Sequence, residues 1–156
     1  MTEIPASLTT LVNLQVLNMS NCTLLERLPG DIEKLVNLRH LYLDGYVKLT
    51  HMPKGIGKLT SLLTLDLFIV ADPSEFGGEV VAVLEELRQL NFLGGELTIK
   101  GVGSLLKTDG CDDQNHFLKE KMNLKSLTLI WDYGPQDVVA TEALLERLHP
   151  EKKLSR

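Results

Sequence analysis

The chain has 156 residues, 44% of them apolar but only 5% aromatic, and a net charge of −5. That length suits one ordinary domain. The scattered Lys and Arg residues form no basic stripe, which argues against a nucleic-acid partner, and the longest apolar run, Ser61–Ala71, contains Asp66 and is too short to cross a bilayer, which argues against membrane insertion. A Leu-dominated core poor in rings points to many similar thin layers rather than one mixed globule. Two cysteines, Cys22 and Cys111, make no disulfide framework and fit a reducing compartment. The opening MTEIPASL lacks the basic and long apolar stretches of a secretory signal, so a cytoplasmic location is expected and the sequons at Asn18 and Asn21 are read as unused.

Residues 1–70 repeat with a period of 24. Pro5, Pro29 and Pro53 keep that spacing, as do Leu8, Ile32 and Ile56; Leu11, Leu35 and Leu59; Leu14, Leu38 and Leu62; Leu17, Leu41 and Leu65; and Met19, Leu43 and Leu67. In LQVLNM, LRHLYL and LLTLDL apolar and polar residues alternate, the signature of a short half-buried strand. The Pro-led stretch, as in PGDIEKL, places Ile and Leu three apart and suits a helical or 3-10 turn with Pro at its start. One such coil cannot bury its Leu face alone, so coils stack. The expected fold is α/β: a leucine-rich-repeat solenoid with a parallel β-sheet on the concave face and short helical or 3-10 segments on the convex face. Cys22 occupies the turn after the first strand and is read as a buried core thiol; Tyr46 and Val70 replace the Asn or Cys usual there.

After Val70 the spacing loosens. ADPSEFGG reads as turns, Glu79 to Leu90 as a helix, Leu97 and Ile99 as a strand, and KTDGCDDQNHFLKEK as a loop with a short helix. NLKSLTLIW restores the motif, with Leu124, Leu127 and Leu129 matching Leu14, Leu17 and Met19. Strand-to-strand intervals of 32 and 30, from Leu67 to Ile99 and on to Leu129, imply longer coils with added helical residues on the convex side. Glu142 to Leu148 reads as a helix stopped by Pro150. Residues 1–156 are thus one leucine-rich-repeat domain, 1–70 as three regular repeats of 24 and 71–156 as longer, irregular ones.

No residues assemble into a catalytic or metal-binding pattern. Gly55-Ile56-Gly57-Lys58 has the wrong spacing for a phosphate-binding loop and reads as a turn. Asp109, Asp112 and Asp113 beside Cys111 and His116 lack the spacing of a calcium or zinc site. No enzymatic activity and no cofactor are expected of this chain. Alternation leaves the outward strand residues as the surface for a partner: Val16, Asn18 and Ser20; His40, Tyr42 and Asp44; Thr64, Asp66 and Phe68; then Thr98, Lys100, Ser126, Thr128 and Ile130. His40, Tyr42, Asp44, Thr64, Asp66 and Phe68 mix rings with charge, as recognition surfaces do, and are the candidate protein-binding residues. Trp131 falls on the core side.

The ordered segments LPGDIEKLVNLRHLYLDG, LTHMPKGIGKLTSLLTLDLFIV, LRQLNFLGGELTIKGV, LKEKMNLKSLTLIWDYG and EALLERLHPEKKL resemble the leucine-rich-repeat region of plant intracellular coiled-coil nucleotide-binding disease-resistance proteins of the resistance-gene-analogue type. The resemblance covers nearly the whole chain. It implies a piece of a larger immune receptor that recognises a pathogen effector or a guarded host protein, or restrains the receptor's own nucleotide-binding domain. ADP or ATP would bind in that other domain. A free-standing interaction scaffold or a ubiquitin-ligase substrate adaptor is the alternative.

Overall fold

A computed structural model describes residues 2–45, 48–70, 85–102, 118 and 121–131. Strands β1 (Val16–Asn18), β2 (His40–Tyr42) and β3 (Thr64–Leu65) form one parallel sheet. Strands β4 (Leu67–Ile69), β5 (Gly94–Lys100) and β6 (Asn123–Ile130) form a second, also parallel. The register obeys the repeat: Leu17 pairs with Leu41, and Leu41 with Leu65. Short 3-10 turns at Ala6–Thr10, Ile32–Lys34 and Ile56–Lys58 return the chain on the opposite side, and the single-turn helix α1 (Glu85–Arg88) packs against the third of them. This is the predicted architecture of parallel strands opposed by short helical turns.

Each return is built the same way. The N–H groups of Leu11, Leu35 and Leu59 donate to the carbonyls of Leu8, Ile32 and Ile56, and those of Leu14, Leu38 and Leu62 donate in turn to Leu11, Leu35 and Leu59. Leu90 to Leu87, Leu93 to Leu90, Lys121 to Leu118 and Leu124 to Lys121 repeat that double step. The later coils are therefore continuations of the earlier ones, with the period lengthened from 24 to 31: Ile56, Leu87 and Leu118 form one column, and Leu62, Leu93 and Leu124 another. The column between them runs Leu59, Leu90 and Lys121. Lys121 is buried, and its Nζ donates to the Leu90 carbonyl at 2.9 Å. The polar atom is thus met one coil back along the stack, while the aliphatic stem takes the place of a leucine.

The columns form one continuous interior. Leu35, Leu38, Leu41, Leu59, Leu62, Leu65, Leu90 and Leu93 are fully buried. Burial of a leucine contributes about 2 kcal/mol, and stacking supplies it repeatedly with few residue types. Leu11, on the first coil, is 51% exposed, because only one coil covers it among the described residues.

Proline is placed differently from expectation. Pro5 directly precedes its 3-10 turn, whereas Pro29 and Pro53 stand three residues before theirs. Pro29 contributes its carbonyl, which accepts from the Ile32 N–H at 3.2 Å. Cys22 is half-buried against the core rather than fully enclosed. Trp131 also packs against the core, as its place in the alternation predicted. Of the predicted helix from Glu79, the described residues hold the turn Glu85–Arg88. Tyr46, the helix at 142–148 and the acidic stretch around Cys111 lie outside the described residues.

Candidate protein-binding face

The sheet register places the candidate residues side by side. Val16 pairs with His40 and His40 with Thr64, while Asn18 pairs with Tyr42. Outward side chains from neighbouring coils therefore form rows, about 4.8 Å from strand to strand. His40 and Tyr42 point to the same side of β2, both half-buried, with parallel rings (4° between planes) whose centroids are 6.2 Å apart. The His40 Nδ1 lies 3.0 Å from the Thr64 hydroxyl, which fixes the imidazole against rotation. Asp44 follows, exposed.

Asp66, half-buried on the same face, also serves the fold. Along β1 the Met19 N–H donates to the Tyr42 carbonyl at 2.8 Å. One coil later, the matching N–H of Leu43 donates instead to the Asp66 carboxylate, at 2.7 Å, and the Asp44 N–H joins it at 3.2 Å. The Asp66 carbonyl is thereby left to accept from the Thr98 N–H at 2.8 Å. Asp66 splices the two sheets: its side chain closes the ladder to β2 while its backbone opens the ladder to β5. Burial pushes its carboxyl above the usual value of 3.8, against the opposing pull of the two N–H groups, and the Asp44 charge adds to the rise.

This splice overturns the expectation for Phe68. Beyond Asp66 the alternation changes phase, because β4 takes its register from β5: Leu67 pairs with Thr98 and Phe68 with Ile99. Phe68 is fully buried beside that core position, and Leu67 is half-buried in the outward row. Phe68 is therefore a core residue and not part of the binding face. The outward row continues with Glu96, Thr98 and Lys100 on β5 and with Ser126, Thr128 and Ile130 on β6. Glu96, exposed on β5, went unnamed in the sequence reading, although Leu97 and Ile99 imply it by alternation.

The convex side spends its charges internally. The Lys34 ammonium donates to Asp31 and the Lys58 ammonium to Glu33, each at 2.7 Å. The Glu86 carboxylate accepts the Gly55 and Gly57 N–H groups at 3.0 and 2.8 Å, capping the third 3-10 turn from α1. Gly55 and Gly57 are thus turn residues, Gly55 with φ +91°.

Among the described residues no group of His, Cys, Asp and Glu has the arrangement of a metal site, and no helix is long and apolar enough to cross a membrane. A family model described as leucine-rich repeat region matches residues 1–156. No curated protein matches the chain.

Proposed function

The chain belongs to the leucine-rich-repeat family, and from that premise we propose that it is the recognition and regulatory module of a plant immune receptor. Regions of this family are typically non-catalytic scaffolds for protein interaction. The finer reading draws on the ordered resemblance to the nucleotide-binding resistance proteins. In that reading the partner is a pathogen effector, a guarded host protein or the receptor's own nucleotide-binding domain, and the module works in the cytoplasm.

The observation that carries the choice of surface is the group His40, Tyr42, Asp44 and Thr64, held in register across two strands with rings, a hydroxyl and a carboxylate all facing outward. Interfaces favour such aromatic anchors with a polar rim. Asp66 fixes the backbone beside the group by accepting the Leu43 and Asp44 N–H groups.

The test is split-luciferase complementation in leaf cells between this chain and the nucleotide-binding domain of a plant receptor with a similar repeat region. Signal is expected, and it should fall at least fivefold in Tyr42→Ala with Asp44→Ala, about the loss that truncating interface residues brings. Absence of signal with the unmodified chain would overturn the restraining role.

A further inference from the structure

The outer side of the first coil is made of the same residues as the interior. Leu8, Leu11, Leu14 and Met19 hold the columns that Ile32, Leu35, Leu38 and Leu43 hold one coil later. The second four are fully buried, whereas Leu11 is 51% exposed and Leu8, Leu14 and Met19 are only half-buried. Val16, on the strand itself, is also 51% exposed. Strand β1 pairs with β2 on one side and with no strand on the other among the described residues. The Met19 N–H and the Gln15 carbonyl bond toward the second coil, so alternation turns the N–H and carbonyl groups of Val16 and Asn18 to the open edge.

Open edges are ordinarily guarded by a lysine, a proline or a bulge. Strand β1 has none of these. Residues 4–25 carry no charge at all, whereas no uncharged run elsewhere in the chain exceeds seven residues. The chain as a whole carries −5, so two copies repel each other except where they meet on uncharged surface. Whatever covers this side must present apolar columns and a strand that continues the ladder already formed between β1 and β2. A second first coil presents both and brings no charge.

We infer that two copies of the chain join through the outer sides of their first coils, β1 against β1 across a two-fold axis perpendicular to the sheet. Such an axis runs the two strands antiparallel, keeps both concave faces on one side and sets leucine columns against leucine columns. With the axis at Leu17, Val16 of each copy lies opposite Asn18 of the other, and each such pair exchanges two backbone hydrogen bonds. The contact is closed, because each copy spends its one unguarded edge on the other. It is independent of which protein the concave face recognises.

Sedimentation velocity of the full chain, from about 1 to 100 μM, tests it. A species of two 17.4 kDa chains should replace the monomer as concentration rises, with nothing larger. Val16→Lys should weaken the dimer about tenfold, since the axis brings both ammonium groups to one edge. Val36→Lys adds the same charge at a position equally exposed (53%) but one coil away, and should leave the dimer intact. Circular dichroism checks that both variants are folded. In the unmodified chain, hydrogen exchange at the Val16 and Asn18 amides should slow as concentration rises while exchange in β3 stays constant. A monomer throughout would leave the face to a leucine-rich coil of another polypeptide and overturn the inference. Equal weakening by the two lysine variants, exchange at Val16 and Asn18 that ignores concentration, or species that keep growing with concentration would overturn it too.

Discussion

At the scale of single residues, Asp66 decides the most. Its carboxylate takes over the acceptor position that a backbone carbonyl holds one coil earlier, which frees its own carbonyl for the next strand. The arrangement holds a carboxylate in a half-buried place, and burial outweighs the two N–H donors in setting its pKa above 3.8. A carboxyl whose folded pKa exceeds its unfolded one binds its proton more tightly in the folded chain. Asp66 therefore favours folding most when protonated, and that contribution fades as pH rises from about the ordinary value through the raised one. Asp31 works in the opposite sense and in a lower window: Lys34 and Thr9 hold its pKa down, so its contribution is lost as pH falls through the depressed value. Urea denaturation of the unmodified chain across mildly acidic pH should show a decline in stability with rising pH just above 3.8 that Asp66→Asn lacks. Identical pH profiles for the two proteins would refute this account of Asp66.

At the scale of elements, the convex turn of the third coil depends on two glycines and one glutamate. A Cβ on Gly57 would stand 2.6 Å from the Glu86 carbonyl oxygen, a backbone atom that cannot swing aside, so α1 approaches the turn closely only because position 57 is bare. Gly57→Ala should cost about 1–3 kcal/mol through displacement of α1, read as a lower urea midpoint. In contrast, Gly30→Ala, where an added Cβ meets nothing within 4 Å, should leave the midpoint nearly unchanged. Much of this fold was legible in the sequence because each column repeats one residue type at one spacing, as Leu35 and Leu59 do. The strand pairings of the first three coils follow from that alone. Phe68 was not legible by counting from Leu65, since the phase changes at Asp66 through a side-chain hydrogen bond that no periodicity encodes. A warning was present: Leu67, Phe68, Ile69 and Val70 form an unbroken apolar run with no polar residue to mark a wet side. The longer coils were legible from the strand intervals, but their even period of 31 was not, because its middle column reads Leu59, Leu90, Lys121 and a lysine does not announce itself as core.

At the scale of the whole molecule, the solenoid is two blocks of different pitch joined at the third coil. Stability in stacked repeats is close to a sum over coils and their nearest-neighbour interfaces, so a weak interface anywhere divides the stack into units that melt apart. Two sets of side-chain hydrogen bonds hold the third coil between its neighbours, beside the apolar columns and the backbone ladders. Asp66 links β2 to the strand that continues the sheet, and Glu86 links the third 3-10 turn to α1. Removing Asp66 leaves the buried Leu43 without an acceptor for its N–H, and removing Glu86 uncaps a turn. Each loss costs about 1–2 kcal/mol, and the two fall on the two faces of the third coil, Asp66 toward the second coil and Glu86 toward the fourth. The double variant Asp66→Ala with Glu86→Ala should therefore lower the steepness of urea unfolding as well as its midpoint, with tryptophan fluorescence from Trp131 and the far-ultraviolet circular dichroism no longer tracing one curve. The unmodified chain should give coincident curves. A double variant that keeps one steep transition at a lower midpoint would place the coupling in the apolar columns and the backbone ladders. The polar bonds at Asp66 and Glu86 would then set only where the strands and the turn lie, including the strand that presents His40 and Tyr42.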